Sequence, residues 1–148
     1  MRTWVLSVFG VLVLSGGCAH LTAERKGIEG KDTFMVSPIG FVQKKDGRTS
    51  IVLEKQYEPG LMGLEQFSHV TVVYWFHLND TPQKRAVLQV HPQGNEANPM
   101  RGVFATHSPV RPNLIAISRC KILSVRDNIV EIDGIDAFDA TPVLDLKN

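Results

Sequence analysis

The feature that most constrains the fold lies at residues 69–78. Val70, Val72, Val73, Tyr74, Trp75 and Phe76 are β-branched or aromatic and nearly continuous. That length and composition predict a buried strand. Shorter strand candidates surround it. Residues 36–43 form the first, with Pro38 and Gly40 marking an edge or a bend. A second begins at residues 50–53, after the turn signal Lys44-Lys45-Asp46-Gly47. Further candidates are residues 86–91, 102–106, 114–125, 129–133 and 142–146. In residues 129–133, Val130 and Ile132 alternate with Glu131 and Asp133. Residues 61–67 are a candidate short helix, because Leu61, Leu64 and Glu65 fall at helical spacing. Residues 92–99 read as a polar loop. Pro109 and Pro112 exclude residues 108–113 from regular structure. Many short strands separated by close turns predict an all-β domain, a barrel or a sandwich.

Length suits a single domain of this kind. The 148 residues leave little room for a second, and 43% hydrophobic with 21% charged residues is an ordinary globular balance. The formal net charge of +1 supplies no strong field for nucleic acid or an acidic membrane. A nucleic-acid partner would therefore need a local patch, for which Arg101, His107, Arg111 and Arg119 are the best cluster. A solvated surface of mixed charge is the alternative.

The N-terminus has its own logic. Arg2 precedes an apolar run of about eleven residues, too short for the ~20 helical residues that span a bilayer. It matches the apolar core of a signal peptide. Ser15, Gly16 and Gly17 then lead to Cys18, the shape of a bacterial lipobox. Residues 1–18 are thus expected to be a signal peptide with lipidation at Cys18, making the protein a membrane-anchored lipoprotein. Residues 19–33 read as a polar tether and residues 34–148 as the domain. Met35 offers another start, which would give a cytoplasmic protein. The second cysteine, Cys120, has no CxxC neighbour or zinc-type spacing and reads as a small core residue.

Common signatures are missing. The sequence has no GxGxxG, no GxxxxGK[ST], no GxSxG and no HExxH. His69 and His77 would share a face of a regular strand, but a hydrogen-bonded core histidine explains each better than a metal does. Asp136, Asp139 and Asp145 lack EF-hand spacing. No metal is expected. What stands out is the stretch from Arg101 to Asn113, with Arg101, His107, Pro109, Arg111, Pro112 and Asn113 crowded between two strands. Prolines lower the cost of ordering a binding loop. Arginine offers a planar fork of donors to carboxylates or phosphates. Asparagine can donate and accept at once, as an adenine edge requires. The other reading is a rigid structural loop whose arginines pair with Asp136 or Asp139.

These residues carry a resemblance. Ser37-Pro38-Ile39-Gly40, Glu58-Pro59-Gly60-Leu61, Gly63 to His69, Arg101 to Ser118 and Asp136 to Lys147 resemble, in order and spacing, the TsaA-like family. Its characterised members are TrmO-type tRNA methyltransferases. The resemblance implies a compact β-barrel, usually a homodimer. It also implies an S-adenosylmethionine cofactor and methyl transfer to threonylcarbamoyl-adenosine beside the tRNA anticodon. It assigns Arg111, Pro112, Asn113, Ile115, Ser118, Thr141 and Pro142 to cofactor binding. Asp139 and Asn113 would be catalytic, and Arg101, His107, Glu65 and His69 would meet the substrate. The sequence departs from the family at His107, Leu114, Ala116 and Ala140, where Arg, Pro, Gly and Gly are usual. An exported lipoprotein would meet neither tRNA nor this cofactor. A repurposed, non-catalytic module that binds a ligand or a partner is therefore the alternative expectation.

Overall fold

The computed structural model describes residues 33–148, and the compact unit runs from Met35 to Asn148. The expected signal peptide, Cys18 and all but the last residue of the tether lie outside the described residues. The strands are β1 (Gly40–Lys45), β2 (Arg48–Leu53), β3 (His69–Trp75), β4 (Gln89–Val90), β5 (Arg101–Gly102), β6 (Ile115–Arg126), β7 (Ile129–Asp133) and β8 (Pro142–Lys147). Six of them close an antiparallel barrel in the order β1-β2-β7-β6-β3-β8, while β4 and β5 pair separately. One α-helix, α1 (Pro82–Arg85), stands among the described residues, and no described helix is long and apolar enough to cross a membrane. The expected mainly-β barrel is the observed architecture.

Turn chemistry sets the strand register. Asp46 (φ 51°) and Gly47 (φ 73°) both take positive φ between β1 and β2, leaving Lys45 opposite Arg48. Such turns match the natural strand twist. In the two-residue turn between β6 and β7, Asp127 (φ 50°) alone takes positive φ. The barrel closes at Gly40, which pairs with both Leu53 and Val143. A Cβ there would lie 2.3 Å from the Val52 carbonyl oxygen, so only glycine fits. Alternation places Val42, Ile51, Val70, Val72, Cys120, Val130, Ile132 and Val143 inside, each at 2% exposure or less.

Several elements differ from expectation. The strand at residues 69–78 ends at Trp75. It is buried on one face only, with Val70, Val72 and Tyr74 inward and Thr71, Val73 and Trp75 half-buried outside. The candidate strands at residues 86–91 and 102–106 shrink to β4 and β5, and Val103–Ala105 forms a 3-10 turn instead. Neither short segment has a core-facing partner beyond the other. The candidate helix at residues 61–67 is two 3-10 turns, Lys55–Leu61 and Leu64–Gln66. Gly63 (φ 87°) separates them and prevents a continuous helix. The first strand starts at Gly40, after Pro38. Helix α1 was not anticipated, although Thr81 caps it and Pro82 occupies its first turn.

Candidate functional site

A cleft of about 800 Å³ opens where β3 and β6 meet the long excursion between them. That volume suits a small organic ligand. Phe76 (φ −73°, ψ 62°) leaves extended geometry and ends β3. Its N–H still bonds the Leu114 carbonyl at 2.8 Å, so the excursion leaves and re-enters the barrel side by side. Four segments therefore converge on the cleft: Tyr74 to Asn79, Phe104 to Asn113, Ile115 to Ser118, and Asp136 to Thr141.

Tyr74 ties two of these together. Its hydroxyl donates to the Asp136 carbonyl at 2.9 Å and lies 3.2 Å from Ser118 Oγ. Its ring meets Phe76 edge-to-face at 5.8 Å. Burial pushes the phenol pKa up, against the lowering effect of the Ser118 hydrogen bond. The phenol therefore stays a neutral donor that holds residues 136–141 against the barrel.

The structure brings together Arg111, Pro112, Asn113, Ile115, Ser118, Thr141 and His107, which all line the cleft. Thr141 is 3% exposed. The Asn113 side chain makes no hydrogen bond among the described residues, and Arg111 makes no ion pair there. The Arg111 guanidinium only approaches the Val103 carbonyl at 3.5 Å. The pairing of the loop arginines with Asp136 or Asp139 is thus not observed.

Other expected site residues lie elsewhere. The Asp139 carboxylate accepts the Lys44 backbone N–H at 2.7 Å and does not line the cleft. The carboxylate residue on the cleft is Asp136. Pro142 sits opposite Phe41 at the start of β8. Arg101 sits in β5, opposite Val90. His69 starts β3, six residues and about 20 Å along an extended strand from the Trp75 end, with Ser68 Oγ 2.9 Å from its Nδ1. Glu65 lies in the neighbouring Leu64–Gln66 turn. His69 starts β3 while His77 lies in the 3-10 turn His77–Asn79 beyond its other end, and the described residues contain no group of three or more side chains able to hold a metal.

Phe104, Phe138, Ile117 and Leu78 were not singled out from the sequence, yet they rim the cleft at 57–79% exposure. The available signal was an aromatic residue inside each of the two polar motifs.

The chain is similar to several known proteins. The family model described as the tRNA-methyltransferase O N-terminal domain matches residues 33–148. A probable S-adenosyl-L-methionine-binding protein of Methanocaldococcus jannaschii is 41% identical over 114 residues, covering 77% of this chain and 90% of that protein. A tRNA (adenine(37)-N6)-methyltransferase of Mus musculus is 44% identical over 90 residues, 61% of this chain but 20% of that protein. A crystal structure of TrmO from Pseudomonas aeruginosa superposes with a TM-score of 0.61 at 29% identity, covering 80% of this chain and 55% of that one. The chain thus spans about half the length of that structure.

Proposed function

This chain belongs to the tRNA-methyltransferase O N-terminal domain family, and from that premise we propose that it binds S-adenosylmethionine in the cleft and methylates an adenine base of tRNA. The carrying observation is that Arg111, Asn113, Ser118 and Thr141, drawn from two separate sequence motifs, line one cleft of about 800 Å³.

The residues present fit the cofactor. The Arg111 guanidinium offers donors to a carboxylate. The unpaired Asn113 amide can read a base edge. Exposed Phe104 and Phe138 rings offer faces on which a base can stack. When bound, S-adenosylmethionine supplies an activated methyl group. The protein's task is then mainly alignment, since methyl transfer to nitrogen needs little covalent help. The acceptor nitrogen loses a proton. We assign that proton to Asp136, because the Asp139 carboxylate expected for this role already accepts from Lys44. The family's threonylcarbamoyl-adenosine is the acceptor we favour. His107, on the cleft, and Arg101, outside it, would touch the tRNA.

This reading goes with a domain that meets the cytoplasm, by translation from Met35 or by an anchor that leaves it facing inward, and with a homodimer. Lipid on Cys18 of an exported protein would instead favour the non-catalytic module. The first test is calorimetric titration of the full chain with S-adenosylmethionine. Binding near the micromolar range that is lost in Arg111→Ala supports the proposal. A folded chain that ignores millimolar cofactor overturns it. Asp136→Asn should then slow methyl incorporation into tRNA while leaving cofactor affinity unchanged.

A further inference from the structure

The loop that carries Arg111 and Asn113 is short of internal supports. Pro109 and Pro112 have no N–H to donate. The other bonds to the loop backbone are local: Ser108 N–H to Thr106 Oγ1 at 3.2 Å, Val110 N–H to Ser108 Oγ at 3.3 Å, Ser108 Oγ to the Val110 carbonyl at 3.4 Å and Ile115 N–H to the Asn113 carbonyl at 2.6 Å. Among the described residues, one hydrogen bond reaches the backbone of residues 107–113 from outside the 101–118 segment. It comes from Arg85, whose Nη1 donates to the Pro112 carbonyl at 3.0 Å.

Arg85 is itself held by two neighbours, Asp80 and Trp75. Its Nε donates to Asp80 Oδ1 at 2.7 Å. Its guanidinium lies over the Trp75 ring, 5.2 Å from the centroid. The same Asp80 accepts from Trp75 Nε1 at 3.2 Å through its other oxygen. Helix α1 delivers the arginine to this place. Thr81 Oγ1 accepts the Lys84 N–H at 3.3 Å, and the Arg85 N–H bonds the Thr81 carbonyl at 3.0 Å. The Asp80 carboxyl is held below its usual pKa, first by the Arg85 hydrogen bond.

We propose that Arg85 is a positioning residue for the cleft: braced by Asp80 and Trp75, it holds the Pro112 carbonyl and so fixes where Arg111 and Asn113 present their side chains to the cofactor. The inference rests on the proposed cofactor reading for its functional consequence, but not for its structural content. The planar fork matters, because one side chain must serve Asp80, Pro112 and the indole face together. A lysine keeps the charge but cannot do all three.

The test compares full-length wild type with Arg85→Lys and Arg85→Gln by three measurements. Both variants should bind S-adenosylmethionine about tenfold more weakly, the scale of one lost charge-assisted bond. Both should exchange the amide hydrogens of Val110, Arg111 and Asn113 faster than wild type. Exchange in β1, β2 and β7 and the melting temperature should stay nearly unchanged. Full rescue by lysine would overturn the proposal, as would unchanged exchange across residues 107–113. A lowered melting temperature with unchanged loop exchange would show a merely structural role and overturn it too. Failure of wild type itself to bind the cofactor would sink the cofactor reading. The exchange comparison would still decide whether Arg85 holds the loop.

Discussion

The barrel and the excursion between β3 and β6 are held by different chemistry. Around the barrel, ladder hydrogen bonds run through six strands, and the inward side chains are fully buried aliphatics such as Ile51, Val72 and Val143. The excursion has only the single-turn helix α1, two-residue strands and short turns. Side chains do the work of a ladder there. His91 Nδ1 meets the Asn98 carbonyl at 2.7 Å, Asn98 Nδ2 donates to the Pro92 carbonyl at 3.0 Å, and Arg85 reaches Pro112. Its main apolar anchors are Val103 and Leu114, both fully buried. The contrast teaches a division of labour. Stability is stored where burial is dense, whereas Arg111 and Asn113 of the cleft are carried by a segment whose backbone depends on a handful of polar contacts.

That division can be broken most visibly from the barrel side. Ile51→Ala removes a fully buried side chain and should cost about 4 kcal/mol in urea unfolding. The fraction that remains folded should keep its affinity for S-adenosylmethionine. A matching loss of affinity in that folded fraction would show that the two regions are not separable. Tyr74→Phe acts at the seam. It leaves the Asp136 carbonyl and Ser118 Oγ without their partner, so a cost of about 2 kcal/mol is expected. Unlike Ile51→Ala, it should also weaken cofactor binding, because residues 136–141 lose their tie to β3. Titration of the folded protein measures both effects.

The same contrast explains what the sequence made legible. Barrel strands announce themselves through composition and alternation, so Val70 to Trp75 and Val130 to Ile132 were readable directly. The excursion has no periodicity. The candidates at residues 86–91 and 102–106 looked like strands because their residues favour strands, yet they have only each other to pair with. The site was partly legible through chemistry. Arg111, Pro112 and Asn113 stood out because that mixture is unusual between two strands. Which of Asp136 and Asp139 reaches the cleft was beyond sequence reading. Both sit in one polar stretch, and the choice depends on Lys44, 95 positions from Asp139, and on the backbone turn at Ala140. Glu65 and His69 entered through family resemblance alone, and strand length puts them at the far end of β3.

A smaller effect concerns the barrel's single buried thiol. Burial pushes the Cys120 pKa up from 9.0 to about 11. The folded state therefore holds this proton more tightly than the unfolded state. Its contribution to stability is full below pH 9 and is lost as the pH rises from there through about 11. Comparison of urea unfolding for wild type and Cys120→Ala across that window should show the difference shrinking. Native Cys120 should also resist iodoacetamide at pH 8, read by peptide mapping, because the thiolate is the reactive form. Rapid alkylation under native conditions would mean that this part of the core opens easily.

The smallest expected change sharpens the comparison from the cleft side. Ala140 takes φ 59°, a left-handed conformation that disfavours a Cβ. The surrounding bonds impose it. The Ala140 N–H bonds the Val42 carbonyl at 2.8 Å, and the Thr141 N–H bonds the Phe138 carbonyl at 3.3 Å. Phe138 and Thr141 both line the cleft, so the strained residue lies between two side chains that would face the ligand. Ala140→Gly relieves the steric cost but gives the unfolded chain more freedom. The relief is the larger of the two, so a net stabilisation of about 0.5 to 1 kcal/mol is expected. Cofactor affinity should stay within about twofold, because the same backbone bonds hold both states. Urea unfolding and titration on one preparation test this. A gain in stability with tighter binding would mean that the strain at Ala140 is felt by the ligand. A gain in stability alone would confine it to the turn.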